Sequence, residues 1–208
     1  MNKISIVGIG PGDKDYLLPI ALKEIEGADC LIGAKRALGE FAYLKKKNIP
    51  LEGNFNQAIA YIKKNKTNEK AAILVSGDPG LYSFLGNISR VSKKQDYTVI
   101  PGISTLQLAF ARLGESWQDV KIISLHGRAK GNLSKAVMLE EKVFLFTAPK
   151  FPPEKIARYL LNKGIANRRA VVFENLSYPD ERIVDTDLKS LRRMKGFALC
   201  AMLIKKEK

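Results

Sequence analysis

The sequence has few of the residues on which disulfide frameworks, zinc sites and base stacking depend. Its 208 residues include two cysteines and one histidine, which argues against a disulfide framework or a metal site. Aromatic residues make up 8%, and no basic segment is interleaved with aromatics in the way that stacked bases require. A Gly-Lys-Ser/Thr motif is absent, which argues against a triphosphate-binding loop. The best candidate for a membrane span, residues 197–204, has about half of the roughly 18 apolar residues needed.

The composition that remains indicates a folded, strongly basic protein. Apolar residues make up 46%, enough for one large domain or two small ones. Gly8, Gly10 and Pro11 interrupt the N-terminal apolar stretch too early for a signal peptide, so we expect a soluble, cytoplasmic protein with no membrane contact. The formal net charge of +14 suggests a polyanionic partner: nucleic acid, an anionic membrane surface or a substrate with many carboxylates.

Strand-like and helix-like segments alternate along the chain, which is typical of an α/β architecture with helices covering a largely parallel sheet. A hinge is expected at residues 114–116, so we predict an N-terminal α/β domain over residues 1–114 and a C-terminal α/β domain over residues 115–208. The predicted strands span residues 3–7, 30–32, 71–75, 97–100, 120–125, 143–147, 170–174 and 197–204. The predicted helices lie near residues 17–25, 55–62, 81–91, 103–113, 133–139 and 188–194, and after residues 152–153.

Three loops that directly follow predicted strands are rich in glycine. Ligands of open α/β sheets bind beyond the carboxyl ends of the strands, so these loops are candidates for a binding site. The first, residues 8–13, begins like a dinucleotide-binding fingerprint. However, Asp13 replaces the third glycine, and Pro11 has no N–H to offer a pyrophosphate. The evidence for a nicotinamide or flavin cofactor is therefore weak.

The second and third loops each allow a binding and a structural interpretation. Asp78, in residues 77–80, suits ribose hydroxyls or an ammonium group, or else caps the next helix within an ordinary turn. Ser104 and Thr105, in the third loop, either hold a ligand or satisfy the first turn of their helix. Three such loops in one half of the chain favour a shared site.

The histidine, His126, follows a predicted strand, with Arg128 two residues beyond it. An imidazole titrates near pH 6.5 and can transfer a proton or hydrogen-bond a substrate, although a structural role fits almost as well. A guanidinium at a strand end suits bidentate recognition of a carboxylate, with a surface ion pair as the alternative. No nucleophilic Ser or Cys has a histidine at motif spacing, and no paired carboxylates suggest glycoside hydrolysis. Covalent catalysis is therefore not indicated.

Taken together, these loops resemble those of the tetrapyrrole methylases, a family that uses S-adenosylmethionine. The segments that carry the resemblance are residues 6–13 (IVGIGPGD), 75–80 (VSGDPG) and 100–104 (IPGIS). Further segments are similar to the cobalamin-pathway subgroup that includes precorrin-6Y C5,15-methyltransferase. They are residues 106–113 (LQLAFARL), 117–119 (WQD), 124–128 (SLHGR), 174–176 (ENL) and 178–181 (YPDE).

The resemblance implies two α/β domains, each a sheet flanked by helices, with the active site in the cleft between them. It implies methylation of C-5 of cobalt-precorrin-7 or precorrin-7 in cobalamin (vitamin B12) biosynthesis. The substrate would be an anionic corrinoid precursor, whose carboxylates give the basic composition a small-molecule explanation. Longer relatives carry an additional domain for C-15 methylation and decarboxylation, so we expect a separate C-15 methyltransferase/decarboxylase protein as a partner. We also expect a homodimer, with no metal and no nucleic acid.

The family pattern also implies site residues. The expected S-adenosylmethionine site comprises Pro11, Gly77, Asp78, Tyr82, Ser104 and Thr105, with Thr147 contributed by the second domain. The expected substrate residues are His126, Arg128, Glu174 and Asn175. His126 and Arg128 are the candidates for a direct catalytic role, although methyl transfer depends mainly on holding two reacting atoms in line.

Two other functions remain as alternatives. A ribosomal RNA 2′-O-methyltransferase of the same fold would share the first loop and benefit from the positive charge. A non-catalytic, basic nucleic-acid-binding module would also explain the charge, but the low aromatic content argues against it. Steep salt dependence of RNA affinity would support either alternative.

Overall fold

The computed structural model describes residues 4–51, 58, 60–61, 69–88, 90, 93–126 and 132–207. The chain divides into two compact units, Met1–Ser104 and Thr105–Lys208. This division falls before the helix that starts at Thr105, while the predicted domain boundary follows that helix and stays a prediction. The helix predicted near residues 55–62 lies mostly outside the described residues.

The first unit contains a five-stranded sheet in which every described pairing is parallel. The sheet order is β3-β2-β4-β1-β5, with bounds β1 Ile4–Gly8, β2 Cys30–Gly33, β3 Lys47–Pro50, β4 Ala71–Val75 and β5 Thr98–Ile100. Its helices are α1 Pro19–Glu26, α2 Lys35–Glu40 and α3 Leu85–Ile88, with 3-10 turns at Lys14–Tyr16, Ala42–Leu44 and Lys94–Asp96. The central strands β1 and β4 are buried at every position, as parallel strands covered on both faces are.

Two apolar layers cover the two faces of this sheet. Alternate side chains of a strand point to opposite faces, so neighbouring residues of β1 enter different layers. Ile6 packs in the layer that contains Phe84. Val7 packs in the layer that contains Ile25 of α1. The helices therefore hold the sheet on both sides and leave the ends of the strands available to the loops.

The second unit contains a mixed five-stranded sheet of order β6-β7-β10-β8-β9. Its elements are α4 Thr105–Leu113, β6 Lys121–Ser124, α5 Leu133–Leu139, β7 Lys142–Phe146, α6 Pro153–Asn162, β8 Arg168–Glu174, β9 Arg182–Asp187, α7 Leu188–Leu191 and β10 Cys200–Lys206. The expectation of a largely parallel sheet is wrong here, since β6 with β7 is the one parallel pair among the named strands described. Strand β10 lies between β7 and β8 and runs antiparallel to both. The short connection over residues 175–181 makes β9 antiparallel to β8, because a parallel crossover needs a dozen or more residues.

The predicted α/β class is confirmed, with two sheets flanked by helices. Among the residues that the structure describes, we find no helix with the length and apolarity of a membrane span.

A carboxylate bridges two lysines that face each other in the second sheet. Lys142 of β7 and Lys205 of β10 are register partners, and like charges in that position repel. Glu115 accepts hydrogen bonds from both ammonium groups, at 2.6 Å from Lys142 and 2.7 Å from Lys205. These two lysines, Lys142 foremost, hold the pKa of the Glu115 carboxyl below its ordinary value.

We expect Glu115→Gln to lower the free energy of unfolding by about 1 kcal/mol at pH 7. A lowered folded-state pKa stabilises the protein above the ordinary carboxyl pKa, and this contribution disappears as the pH falls through the folded value. Urea unfolding of the variant and the wild type should therefore converge as the pH falls from 7 towards 3. A difference that does not change with pH would contradict this assignment.

Candidate functional site

The three glycine-rich loops lie side by side at one edge of the first sheet. β4, β1 and β5 are adjacent parallel strands, so their carboxyl ends meet at the same edge. The main chain connects the first two loops directly. The N–H of Ile9 donates to the carbonyl of Val75 at 3.0 Å, and the N–H of Gly77 donates to that of Gly10 at 2.7 Å. The shared site predicted from the sequence thus has a geometric basis within the first unit.

Glycine is required where these loops meet, because their backbones touch. A Cβ on Gly8 would lie 2.6 Å from both the nitrogen of Gly102 and the carbonyl oxygen of Gly77. A Cβ on Gly102 would lie 2.3 Å from the same oxygen of Gly77. Gly77 itself has a φ of +67°, in the left-handed region that favours glycine. The expected site residues do not include Gly8 or Gly102, although each lies within two residues of the end of a predicted strand.

Asp78 connects the second loop to the third. Its Oδ1 accepts a hydrogen bond from the N–H of Gly80 at 2.7 Å, and its Oδ2 accepts one from the N–H of Gly102 at 3.2 Å. The turn interpretation of Asp78 is therefore present in the structure. Each carboxylate oxygen has a second lone pair, so the same side chain can also accept from a ligand.

Two other predicted cofactor residues of the first unit, Pro11 and Ser104, lie near this junction. Pro11 is buried and follows Gly10, whose carbonyl is bonded to the second loop. Ser104 is buried, and its Cα lies 3.6 Å from the position of a Cβ built on Gly77. Thr105 is half-buried and begins α4, the first helix of the second unit.

Tyr82 has an unusual backbone conformation for a tyrosine. Its φ is +51°, and 42% of its surface is exposed. Asn175 and Ser177, in the loop after β8, also have positive φ values, of 49° and 72°. Non-glycine residues adopt this region infrequently, and asparagine does so more readily than most.

A second group of predicted residues lies at one edge of the second sheet, where β6, β7 and β8 end and β10 begins. His126 follows β6, and its Nδ1 lies 3.1 Å from the carbonyl oxygen of Thr147. A carbonyl only accepts, so Nδ1 carries the proton, and Nε2 of the neutral ring is an acceptor. The hydroxyl of Thr147 donates to the carbonyl of Cys200 at 2.6 Å. Burial raises the pKa of the Cys200 thiol to about 12, and the negative charge of Glu174 adds a smaller increase. This thiol therefore stays protonated.

Glu174 and Asn175 direct their side chains to protein partners. Glu174 is 6% exposed, and its two oxygens accept hydrogen bonds from Arg182 and from the N–H of Ala198. The side-chain amide of Asn175 donates to Asp180 at 2.7 Å. Arg128 lies outside the described residues, so its predicted role stays a prediction.

The donor set of the first unit fits S-adenosylmethionine better than a phosphate ligand. The carboxylate of Asp78 and the carbonyl groups of the glycine loops accept hydrogen bonds, which suits ribose hydroxyls and an ammonium group. Among the described residues, no three His, Cys, Asp or Glu side chains are grouped so as to hold a metal ion.

Three glycine-rich loops and one carboxylate at the carboxyl ends of parallel strands form the candidate site of an α/β protein, and comparison with known proteins gives the family. Residues 3–192 match the profile of the tetrapyrrole (corrin/porphyrin) methylases. The chain belongs to this family.

Relatives in sequence carry names from cobalamin biosynthesis. A protein of Methanocaldococcus jannaschii named "Probable cobalt-precorrin-7 C(5)-methyltransferase" is 39% identical over 92% of this chain and 90% of its own length. The cobalt-precorrin-7 C(5)-methyltransferase of Salmonella typhimurium is 30% identical over 86% of this chain and 88% of its own length. A precorrin-6Y C(5,15)-methyltransferase [decarboxylating] of Sinorhizobium sp. is 25% identical, and the match spans 44% of that longer protein.

Solved structures share the fold. The precorrin-6Y methylase of cobalamin biosynthesis from Archaeoglobus fulgidus has a TM-score of 0.74 at 23% identity, covering 99% of this chain and 98% of its own. A uroporphyrin-III C-methyl transferase of Thermus thermophilus, complexed with S-adenyl homocysteine, has a TM-score of 0.77 at 17% identity, with coverage of 97% and 96%.

Proposed function

We propose that this protein transfers a methyl group from S-adenosylmethionine to C-5 of cobalt-precorrin-7 in cobalamin biosynthesis. One structural observation carries the proposal: Gly8, Gly77 and Gly102 bring three loops into backbone contact around the carboxylate of Asp78. The names of the relatives in Methanocaldococcus jannaschii and Salmonella typhimurium support the substrate.

The residues that would hold the cofactor are Pro11, Gly77, Asp78, Tyr82, Ser104 and Thr105, with Thr147 from the second unit. When bound, S-adenosylmethionine supplies an electrophilic methyl group. Asp78 accepts hydrogen bonds from two loops, so it keeps its carboxylate in one orientation for a further donor. The glycine junction fixes the loops against one another, which suits a reaction that depends on orientation.

The residues of the second unit suit an anionic substrate. Residues 105–208 contain 20 of the 35 basic residues and 11 of the 21 acidic ones. His126, with Nδ1 held by the carbonyl of Thr147, presents Nε2 as an acceptor for a substrate N–H or as a site for a proton. We propose that Arg128 binds a substrate carboxylate and that Asn175 also contacts the substrate.

The partner and assembly follow from the same proposal. We propose a separate C-15 methyltransferase/decarboxylase as partner, since the relatives in Methanocaldococcus jannaschii and Salmonella typhimurium are named for C-5 alone and the Sinorhizobium sp. relative for C-5 and C-15. The predicted homodimer and the cytoplasmic location stay predictions. No observation on the described residues favours RNA methylation or a non-catalytic binding module.

Mass spectrometry of a single incubation tests the proposal. Purified protein with S-adenosylmethionine and cobalt-precorrin-7, or metal-free precorrin-7, should give a product that carries one added methyl group. The same incubation without S-adenosylmethionine is the control. No gain in mass with either substrate would reject the proposed function.

A further inference from the structure

A buried carboxylate holds a half-exposed guanidinium in the second unit. Arg182 begins β9 and pairs in register with Glu174, the last residue of β8. Its Nε and Nη2 donate to the same oxygen of Glu174 at 2.8 and 2.7 Å. Glu174 is 6% exposed, whereas 53% of the Arg182 side chain is exposed. The buried partner therefore fixes a cation that remains accessible.

Two more contacts limit the movement of this pair. The guanidinium carbon of Arg182 lies 5.1 Å from the ring centroid of Phe197, within the range of cation–π contacts. The second oxygen of Glu174 accepts from the N–H of Ala198 at 2.7 Å, which keeps the carboxylate from turning away. Glu174 takes the Nε–H and one Nη2–H of Arg182. The remaining Nη donors form a planar fork that matches the two oxygens of a carboxylate.

Arg182 lies at the same edge of the second sheet as the predicted substrate residues. Glu174 is the register partner of Cys200, and the carbonyl of Cys200 accepts from the hydroxyl of Thr147. The carbonyl of Thr147 contacts His126. A series of direct contacts within the second unit thus connects Arg182 with His126.

We propose that Arg182 binds an acetate or propionate carboxylate of the tetrapyrrole substrate, and that Glu174 is a positioning residue for Arg182. This inference rests on the proposed function, which supplies a substrate with peripheral carboxylates. An ionised Glu174 only accepts hydrogen bonds, so it would repel such a substrate in direct contact. Glu174 holds one edge of the Arg182 guanidinium and Phe197 contacts one of its faces. A guanidinium held in this way orients a bound carboxylate as well as attracting its charge.

Arg169 offers a matched control on the same pair of strands. It lies near the start of β8, at the other end of the ladder from Glu174. Its Nε and Nη2 donate to Asp185 at 3.2 and 2.6 Å, so it too is an arginine paired with one carboxylate oxygen. Arg169→Gln removes the same charge from the same sheet at the edge away from His126.

Steady-state kinetics with cobalt-precorrin-7 test the role of Arg182. Arg182→Gln should raise KM about tenfold or more, with kcat within about twofold of wild type and a shallower dependence of KM on salt. Arg182→Lys keeps the positive charge beside Glu174, so this variant should fold. It lacks the two parallel N–H donors of the guanidinium, so its KM should still rise. Arg169→Gln should leave KM unchanged. Equal KM values for the Arg182 and Arg169 variants would overturn the proposal.

A double-mutant cycle tests the role of Glu174. Glu174→Gln should raise KM in the wild-type background and add nothing in the Arg182→Gln background, because its effect passes through Arg182. If the double variant instead raises KM by the product of the two single-variant factors, Glu174 does not act through Arg182 and its positioning role is overturned.

A binding measurement without turnover distinguishes failure of this inference from failure of the proposed function. Quenching of uroporphyrin III fluorescence measures the binding of a carboxylated tetrapyrrole without turnover. Weaker binding by Arg182→Gln than by Arg169→Gln would support the inference, whether or not the wild type methylates cobalt-precorrin-7. Failure of the wild type to methylate that substrate would reject the proposed function but not the inference about Arg182. Equal binding by the two variants would reject the inference.

Discussion

Gly102→Ala should lower the free energy of unfolding by at least about 3 kcal/mol and abolish binding of S-adenosylmethionine. The added Cβ would lie 2.3 Å from the carbonyl oxygen of Gly77 and 2.8 Å from the carbonyl carbon of Gly8. Both neighbours are backbone atoms of other loops, so no side chain can rotate to relieve the overlap. The third loop would separate from the first two, and Asp78 would lose its bond to the N–H of Gly102.

Urea unfolding and calorimetric titration with S-adenosylmethionine measure the two effects of Gly102→Ala. Gly39→Ala is the matched control, because a Cβ at Gly39 meets nothing within 4 Å and Gly39 lies inside helix α2. That control should be as stable as wild type or more stable by up to about 1 kcal/mol, the difference in helix propensity. Wild-type stability and affinity in the Gly102 variant would show that the glycine junction is not required.

Asp78→Ala should weaken the binding of S-adenosylmethionine by roughly 100-fold, with a smaller loss of stability. A hydrogen bond to a charged group contributes about 1.5–3 kcal/mol, and here the same carboxylate also orders two loops. Most of the loss should appear in the affinity, since Asp78 is half-buried and water can replace part of its contacts with the main chain.

Asp96→Ala is the control for that substitution. Asp96 accepts a hydrogen bond from the N–H of Lys93 in an exposed turn, before the amino end of β5. Like Asp78→Ala, this substitution removes one negative charge and one hydrogen bond within a turn of the first unit. Asp96, however, lies at the opposite edge of the sheet from Asp78. Calorimetry should give the Asp96 variant wild-type affinity. Equal affinity for S-adenosylmethionine in the two variants would remove Asp78 from the cofactor site.

The sequence predicted most of the first unit because its signals are local. The apolar run over Ala71–Val75 ends in a glycine loop, and β4 has these bounds. Strand β3, Lys47–Pro50, is not among the predicted strands. Its side chains are largely exposed, since it lies at the edge of the sheet, so it lacks the apolar pattern that reveals a central strand.

The second unit was harder to predict because its arrangement depends on contacts distant in sequence. Strand β9, Arg182–Asp187, was missed, since its polar residues give no apolar run. The insertion of β10 between β7 and β8 makes the sheet mostly antiparallel, and no local pattern encodes that pairing.

The same limit applies to the candidate site. The glycine loops were visible as motifs, but the contact of Gly102 with Gly77 and the bond from Gly102 to Asp78 exist only after β4, β1 and β5 assemble. Arg182 stands outside every motif, and its pairing with Glu174 follows from the register of β8 and β9. The loops of a parallel sheet are thus predictable from the sequence, whereas the side chains that they bring together are not.

The position of the transferred methyl group tests the central claim most directly. Protein incubated with cobalt-precorrin-7 and S-adenosylmethionine labelled with ¹³C in the methyl group gives a product whose labelled carbon can be located by NMR. The proposed function predicts one labelled methyl group, bonded to C-5 of the macrocycle. A label at C-15 or at any other position, or an unlabelled macrocycle, would contradict it.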